Sequence, residues 1–135
     1  MNKISSQSIY RGAFGLAAAI VFGAFAAHFL KDKLPEVNLR EFETAVKYQV
    51  YGCLGLILLG ILSHLSAIKL NVPVLLLRFG ILIFCGTLYF LALRPLLSIE
   101  GFSWVGAITP FGGLAMIGAW VWVGVVFLTP GPSPK

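Results

Sequence analysis

Residues 12–30 read GAFGLAAAIVFGAFAAHFL, and this stretch decides the fold. Its single ionisable side chain, His28, stands close to its end. Wound as an α-helix rising 1.5 Å per residue, it reaches about 28 Å, close to the thickness of a bilayer's hydrocarbon core. Three more apolar runs follow at about 48–68, 74–93 and 104–128, and with the first they occupy most of the 135 residues. The chain is 59% hydrophobic and 11% charged, where a soluble domain averages roughly 45–50% and about 25%. A core of this size cannot hide that excess, so it must face lipid. The reading is all-α: one integral membrane domain over residues 1–135, a four-helix bundle running up-down-up-down because the connections are short. Residues 129–135, with three prolines, are expected to form a disordered tail.

The segments between the spans refine this picture. Lys31 to Lys47 carries four of the five acids, Asp32, Glu36, Glu41 and Glu43, interleaved with basic residues. Pro35 stops the first helix, and Asn38 followed by Glu41 has the spacing of a capping box that opens the second. Leu39, Phe42, Ala45 and Val46 keep one apolar face in an amphipathic extension ahead of the second span. Glu43 and Lys47 stand at i,i+4 in the favourable order for an ion pair. Pro73 precedes the third span, Arg78 lies in its first turns and can snorkel to the interface, Arg94-Pro95 ends it, and Pro110 lies near the start of the fourth.

The formal charge is +5, but Lys and Arg are scattered at span ends, where they act as interfacial anchors. No basic cluster supports a nucleic-acid partner. Lys3, Arg11, Lys69, Arg78 and Lys135 collect on one membrane face, and Lys31, Lys33, Arg40, Lys47 and Arg94 on the other with every acid. The two counts tie. With the first helix setting the topology, both termini are expected on the cytoplasmic side.

Small residues suggest how the helices are held. Gly15, Ala19, Gly23 and Ala27 recur every four residues down the first helix, a ridge that lets another backbone approach closely. The fourth helix offers Gly112 and Gly113, then Ala115, Gly118 and Ala119, and the second offers Gly52, Gly55 and Gly60. Packing within one bundle is the simpler use of these surfaces; contact between copies or with another membrane protein is the other. Cys53 and Cys85 fall inside apolar spans and are expected to be buried and reduced.

Little here points to catalysis. There is no GxSxG, HExxH or Gly-rich phosphate loop, so no catalytic residues, metal ligands or cofactor are expected. His28 and His64 end antiparallel helices at opposite faces and cannot share a metal. The one concentration of polar residues, His28, Glu43, Lys47, Tyr48, Gln49, Thr87, Tyr89 and Thr109, is drawn by the topology toward a single face. Polar groups at membrane depth mark functional sites by default; the plainer reading is a hydrogen-bonded cap that ties the helix ends.

Four blocks of sequence carry a resemblance: GAFAAHFLKDKL (Gly23–Leu34), FETAVKYQVYG (Phe42–Gly52), FCGTLYFLAL (Phe84–Leu93) and GAITPFGGLAMIGAW (Gly106–Trp120). In order and spacing, over about residues 12–120, the chain resembles the small bacterial membrane proteins of domain of unknown function 423, relatives of the eukaryotic transmembrane protein 256. The resemblance implies a four-helix inner-membrane protein with no assigned activity. Ala26 stands where the family commonly has Gly, and Gly52 where it commonly has His, which weakens any histidine-pair chemistry here. The expectation is a non-enzymatic accessory or structural subunit partnered by lipid and by other membrane proteins or its own copies. The alternative is a small carrier, channel or lipid-binding bundle that uses the polar cluster.

Overall fold

A computed structural model of the chain describes residues 2–129. It contains four long helices, α1 (Lys3–His28), α2 (Glu36–Leu65), α3 (Asn71–Leu93) and α4 (Val105–Leu128), with a short 3-10 turn (Leu30–Asp32) between the first two. All four are long and apolar enough to cross a membrane, and no strand occurs among the described residues. The tail expected to be disordered lies almost wholly outside the described residues. Short connections alternate the helix directions, placing the starts of α1 and α3 at one end of the molecule and their finishes at the other.

The helix boundaries depart from the hydropathy reading for local reasons. α1 begins at Lys3, well before the apolar run, because the Asn2 side chain caps it by accepting from the Ser5 N–H at 2.7 Å. Ser5 and Ser8 of that first polar stretch are small enough to sink against α2. Ser5 is fully buried and its hydroxyl donates to the Gly60 carbonyl at 2.6 Å. A Cβ at Gly60 would stand 3.0 Å from the Ser5 carbonyl oxygen and 3.2 Å from Ser8 Cβ, so the glycine is what admits this contact.

α2 begins at Glu36 behind Pro35, whose ring presets the backbone for entry; Asn38 is therefore not a cap but lies in the first turn, where its amide leans toward the Leu91 carbonyl of α3 at 3.4 Å. The expected Glu43–Lys47 ion pair is replaced by one between Arg40 and Glu36 at 2.5 Å. Both partners of that pair are exposed, so it adds at most about 1 kcal/mol. α2 ends at Leu65, earlier than expected, and α3 starts at Asn71. Pro73 thereby falls in the first turn of α3, where backbone N–H groups have no intrahelical acceptor and its missing donor costs little.

α2 and α3 form a central pair, with α1 packed on the outer side of α2 and α4 on the outer side of α3. α1 and α4 are not packed against each other. One apolar core joins α2, α3 and α4 through Leu56, Leu59, Leu77, Met116 and Ala119. A second closes the acidic end through Ala26, Leu30, Leu34, Phe42 and Ala92. Glycine sets the close approaches. Gly12 and Gly15 abut Cys53 across the α1–α2 seam, and Gly112 lies against the Phe84 backbone across the α3–α4 seam. On α1 the buried small residues are Gly12, Ala19 and Ala26, with Gly15 and Gly23 half-buried, while Ala27 is exposed. A strict four-residue step drifts around a helix of 3.6 residues per turn, so a step of three returns the seam to Ala26. Gly113 is half-buried beside the Phe84 ring.

Candidate functional site

The topology does bring the ends of α1 and α3 and the starts of α2 and α4 to one face, but the polar residues found there divide into two sets. The inner set is organised around Gln49. It lies on the buried face of α2 that also carries Ala45, Gly52 and Cys53, and it is only 8% exposed. Its amide nitrogen donates to the Gly15 carbonyl of α1 at 2.8 Å, and its amide oxygen accepts from the Tyr89 hydroxyl of α3 at 2.7 Å. One side chain thus ties three helices. The Tyr89 ring is held edge-on by Phe42 and Phe22, with centroids 4.9 and 5.2 Å away, a favourable arrangement of aromatic quadrupoles.

A second inner contact joins the other seam. The Thr87 hydroxyl of α3 and the Thr109 hydroxyl of α4 are 2.6 Å apart, and Thr87 also donates toward the Phe84 carbonyl at 3.1 Å. In hydrocarbon an unmatched polar group is costly. These four side chains match in two pairs, with backbone carbonyls besides, and form a hydrogen-bonded plug across the seams.

The outer set does not join it. His28, Glu43 and Lys47 are exposed and make no side-chain hydrogen bond or ion pair among the described residues. Tyr48 is partly exposed and packs its ring against Phe84 and Tyr51, at 5.0 and 5.8 Å. No group of three His, Cys, Asp or Glu able to hold a metal occurs among the described residues. His28 and His64 lie at the finishes of antiparallel α1 and α2, and both are exposed. Beyond α3, Arg94 donates to the Gly101 carbonyl at 2.5 Å and clasps the turn into α4, where Ser98, Gly101 and Phe102 all take positive φ.

Sequence reasoning missed a different feature. A cavity of about 430 Å³ opens between α1 and α3 over a floor of α2. Its walls are mainly apolar, the Gln49–Tyr89 pair stands at one end, and Arg11 and Arg78 line it toward the other. A smaller hollow of about 220 Å³ continues past Arg78 to Gln7 and Asn71. The available signal was register: Arg11 and Arg78 stand at similar distances from the starts of two helices that begin at the same end.

The chain's similarities agree with this architecture. The family model described as a protein of unknown function, DUF423, matches residues 22–113. Over 113 residues the chain is 42% identical to a UPF0382 membrane protein of Staphylococcus epidermidis, covering 84% of this chain and 88% of the relative. It is 38% identical over 117 residues to the UPF0382 membrane protein YwdK of Bacillus subtilis, covering 85% of this chain and 90% of that one. No solved structure matches.

Proposed function

We propose, for a chain that belongs to the DUF423 family of membrane proteins of unknown function, that it serves as a non-enzymatic subunit that associates laterally with other membrane proteins or with its own copies. The observation that carries this reading is the open arrangement of the helices. Buried residues make up 44% of the apolar stretch of α2 and 22% of that of α3, against 17% of those of α1 and of α4. The two outer helices each pack chiefly on one neighbour and leave much of their circumference free.

On α4 the free face is a continuous stripe, Leu114, Ile117, Val121, Val125 and Leu128, each more than half exposed. It recurs at three and four residues, the spacing by which one helix seats against another. The plug supports the same reading, since Gln49 with Tyr89 and Thr87 with Thr109 hold helices together, and those bonds leave the four side chains little capacity to handle a substrate. Short connections add scant mass outside the membrane.

The test is gentle extraction at native abundance, followed by size determination and identification of whatever stays bound in fixed ratio. A stoichiometric membrane-protein partner, or a homo-oligomer broken by Leu114→Trp or Val121→Trp without loss of helicity, is the expected result. A monomer with no partner under conditions that keep other membrane complexes intact would refute it.

A further inference from the structure

We infer that the cleft between α1 and α3 is a binding site for one anionic membrane lipid, its phosphate held between Arg11 and Arg78 and an acyl chain laid along the apolar floor toward Tyr89. Three observations converge on it. First, the cleft is graded in polarity. Arg11, Arg78 and, beyond them, Gln7 and Asn71 line the end nearer the helix starts, while Leu56 and Ile81 belong to the stretch that leads to Tyr89. From Arg78 to Tyr89 the α3 backbone rises about 16 Å, long enough to seat much of an acyl chain. α1 and α3 come together beyond this stretch, where Phe22 meets Tyr89.

Second, the arginines lack counter-charges. Both are half-buried, the Nη1 atom of Arg11 is buried with no hydrogen-bond partner, and Arg78 forms no ion pair among the described residues. A guanidinium at the edge of hydrocarbon calls for an anion or for escape to water, and its planar fork matches a phosphate with paired N–H donors.

Third, the charge distribution excludes a protein carboxylate as that anion among the described residues. All five acids, Asp32, Glu36, Glu41, Glu43 and Glu100, lie at the opposite end, whereas the end that begins α1 and α3 carries Lys3, Arg11, Lys69 and Arg78. Basic pockets between membrane helices are suited to acidic head groups, and a cleft open sideways to the bilayer gives the chains their entry.

The experiment uses the full chain, purified in mild detergent, stripped of lipid and returned to phosphatidylcholine nanodiscs with a trace of phosphatidylglycerol. Lipid retained on ejection is counted by native mass spectrometry. One phosphatidylglycerol per chain is expected, with at least a tenfold preference over phosphatidylcholine. Arg11→Gln with Arg78→Gln should remove that preference while helicity by circular dichroism is unchanged.

Should the double variant fail to fold, Gly86→Leu decides. Gly86 lines the cleft, and a Cβ there meets no atom within 4 Å, so the added side chain fills the acyl path and should lower retention at least tenfold. Equal retention of both lipids, undiminished preference in the folded double variant, or full retention in Gly86→Leu would overturn the inference. So would complete displacement by inorganic phosphate, which would make the site one for a free anion.

Discussion

Gly112→Ala sets two well-defined effects against each other. An added Cβ at this position would stand 2.9 Å from the Phe84 Cα and nearer still to the Phe84 nitrogen. Ordinary contact begins near 3.4 Å, so α3 and α4 must part by about half an ångström or more. The obstacle is backbone, so no rotamer change relieves it. A gap of 0.5–1 Å forfeits roughly a quarter to a half of the dispersion energy of each separated contact, and overpacking of a well-packed seam costs about 1–3 kcal/mol. Against this, alanine gains about 0.5–1 kcal/mol over glycine in a helix interior. With backbone contacts this close the clash lies in the upper part of its range and wins, leaving a net loss of up to about 2.5 kcal/mol. Gly124 is the control on the same helix: a Cβ there meets nothing within 4 Å, so Gly124→Ala keeps only the helix-propensity gain of at most about 1 kcal/mol. Both variants are to be unfolded reversibly in mixed micelles of mild detergent and dodecyl sulfate, followed by far-ultraviolet circular dichroism. Opposite signs are expected. Equal stability of the two variants would show that the α3–α4 seam is looser than described and would refute the reasoning.

The hydrogen-bonded plug makes further predictions. Tyr89→Phe leaves the Gln49 amide oxygen without its donor and should destabilise by about 0.6–1.7 kcal/mol in the same assay. Gln49→Leu with Tyr89→Phe should cost less than the sum of the single changes, and strict additivity in that double-mutant cycle would dismiss the bond. Gly60→Ala forces Ser5 and Ser8 away from α2 and should lose about 1–3 kcal/mol, seen together with faster proteolysis near residue 5. His28→Ala removes an exposed side chain with no hydrogen-bond partner among the described residues, so stability should stay within about 0.5 kcal/mol. A larger loss would place His28 in an interaction absent from the isolated chain.

How much of this was legible in the sequence depended on which physical rule governed each residue. The four spans could be read because a bilayer fixes length and polarity together, and 12–30, 48–68, 74–93 and 104–128 each satisfy both. Their starts were less legible. Hydropathy cuts α1 at Gly12, yet the helix continues to Lys3, since Ser5 and Ser8 find room beside Gly60, which is distant in sequence. At α2 the spacing of Asn38 and Glu41 imitates a cap, but Pro35 has already set the backbone. The site was legible only as a composition. Gln49 and Tyr89 lie forty residues apart, and nothing local tells that they bond while Glu43 and Lys47, ideally spaced for each other, do not. Charge at an exposed helix surface is screened and weakly directed; a buried amide with one donor in reach has one low-energy choice.

That distinction also governs where function is to be sought. The sequence drew attention to the polar face at the end of α1, but there Gln49 is bonded to Tyr89 and Thr87 to Thr109, and a side chain whose hydrogen bonds are already matched at membrane depth gains little from a ligand. Arg11 and Arg78 looked like ordinary interfacial anchors, because Lys and Arg near span ends usually are. The geometry separates them from that class: they flank one cleft, from two helices that start at the same end, far from every acid of the chain. Anchors scattered around a bundle reach water independently. Two half-buried guanidiniums lining one apolar-floored cleft gain from an anion between them, and in a bilayer the negative group always at hand is a lipid phosphate.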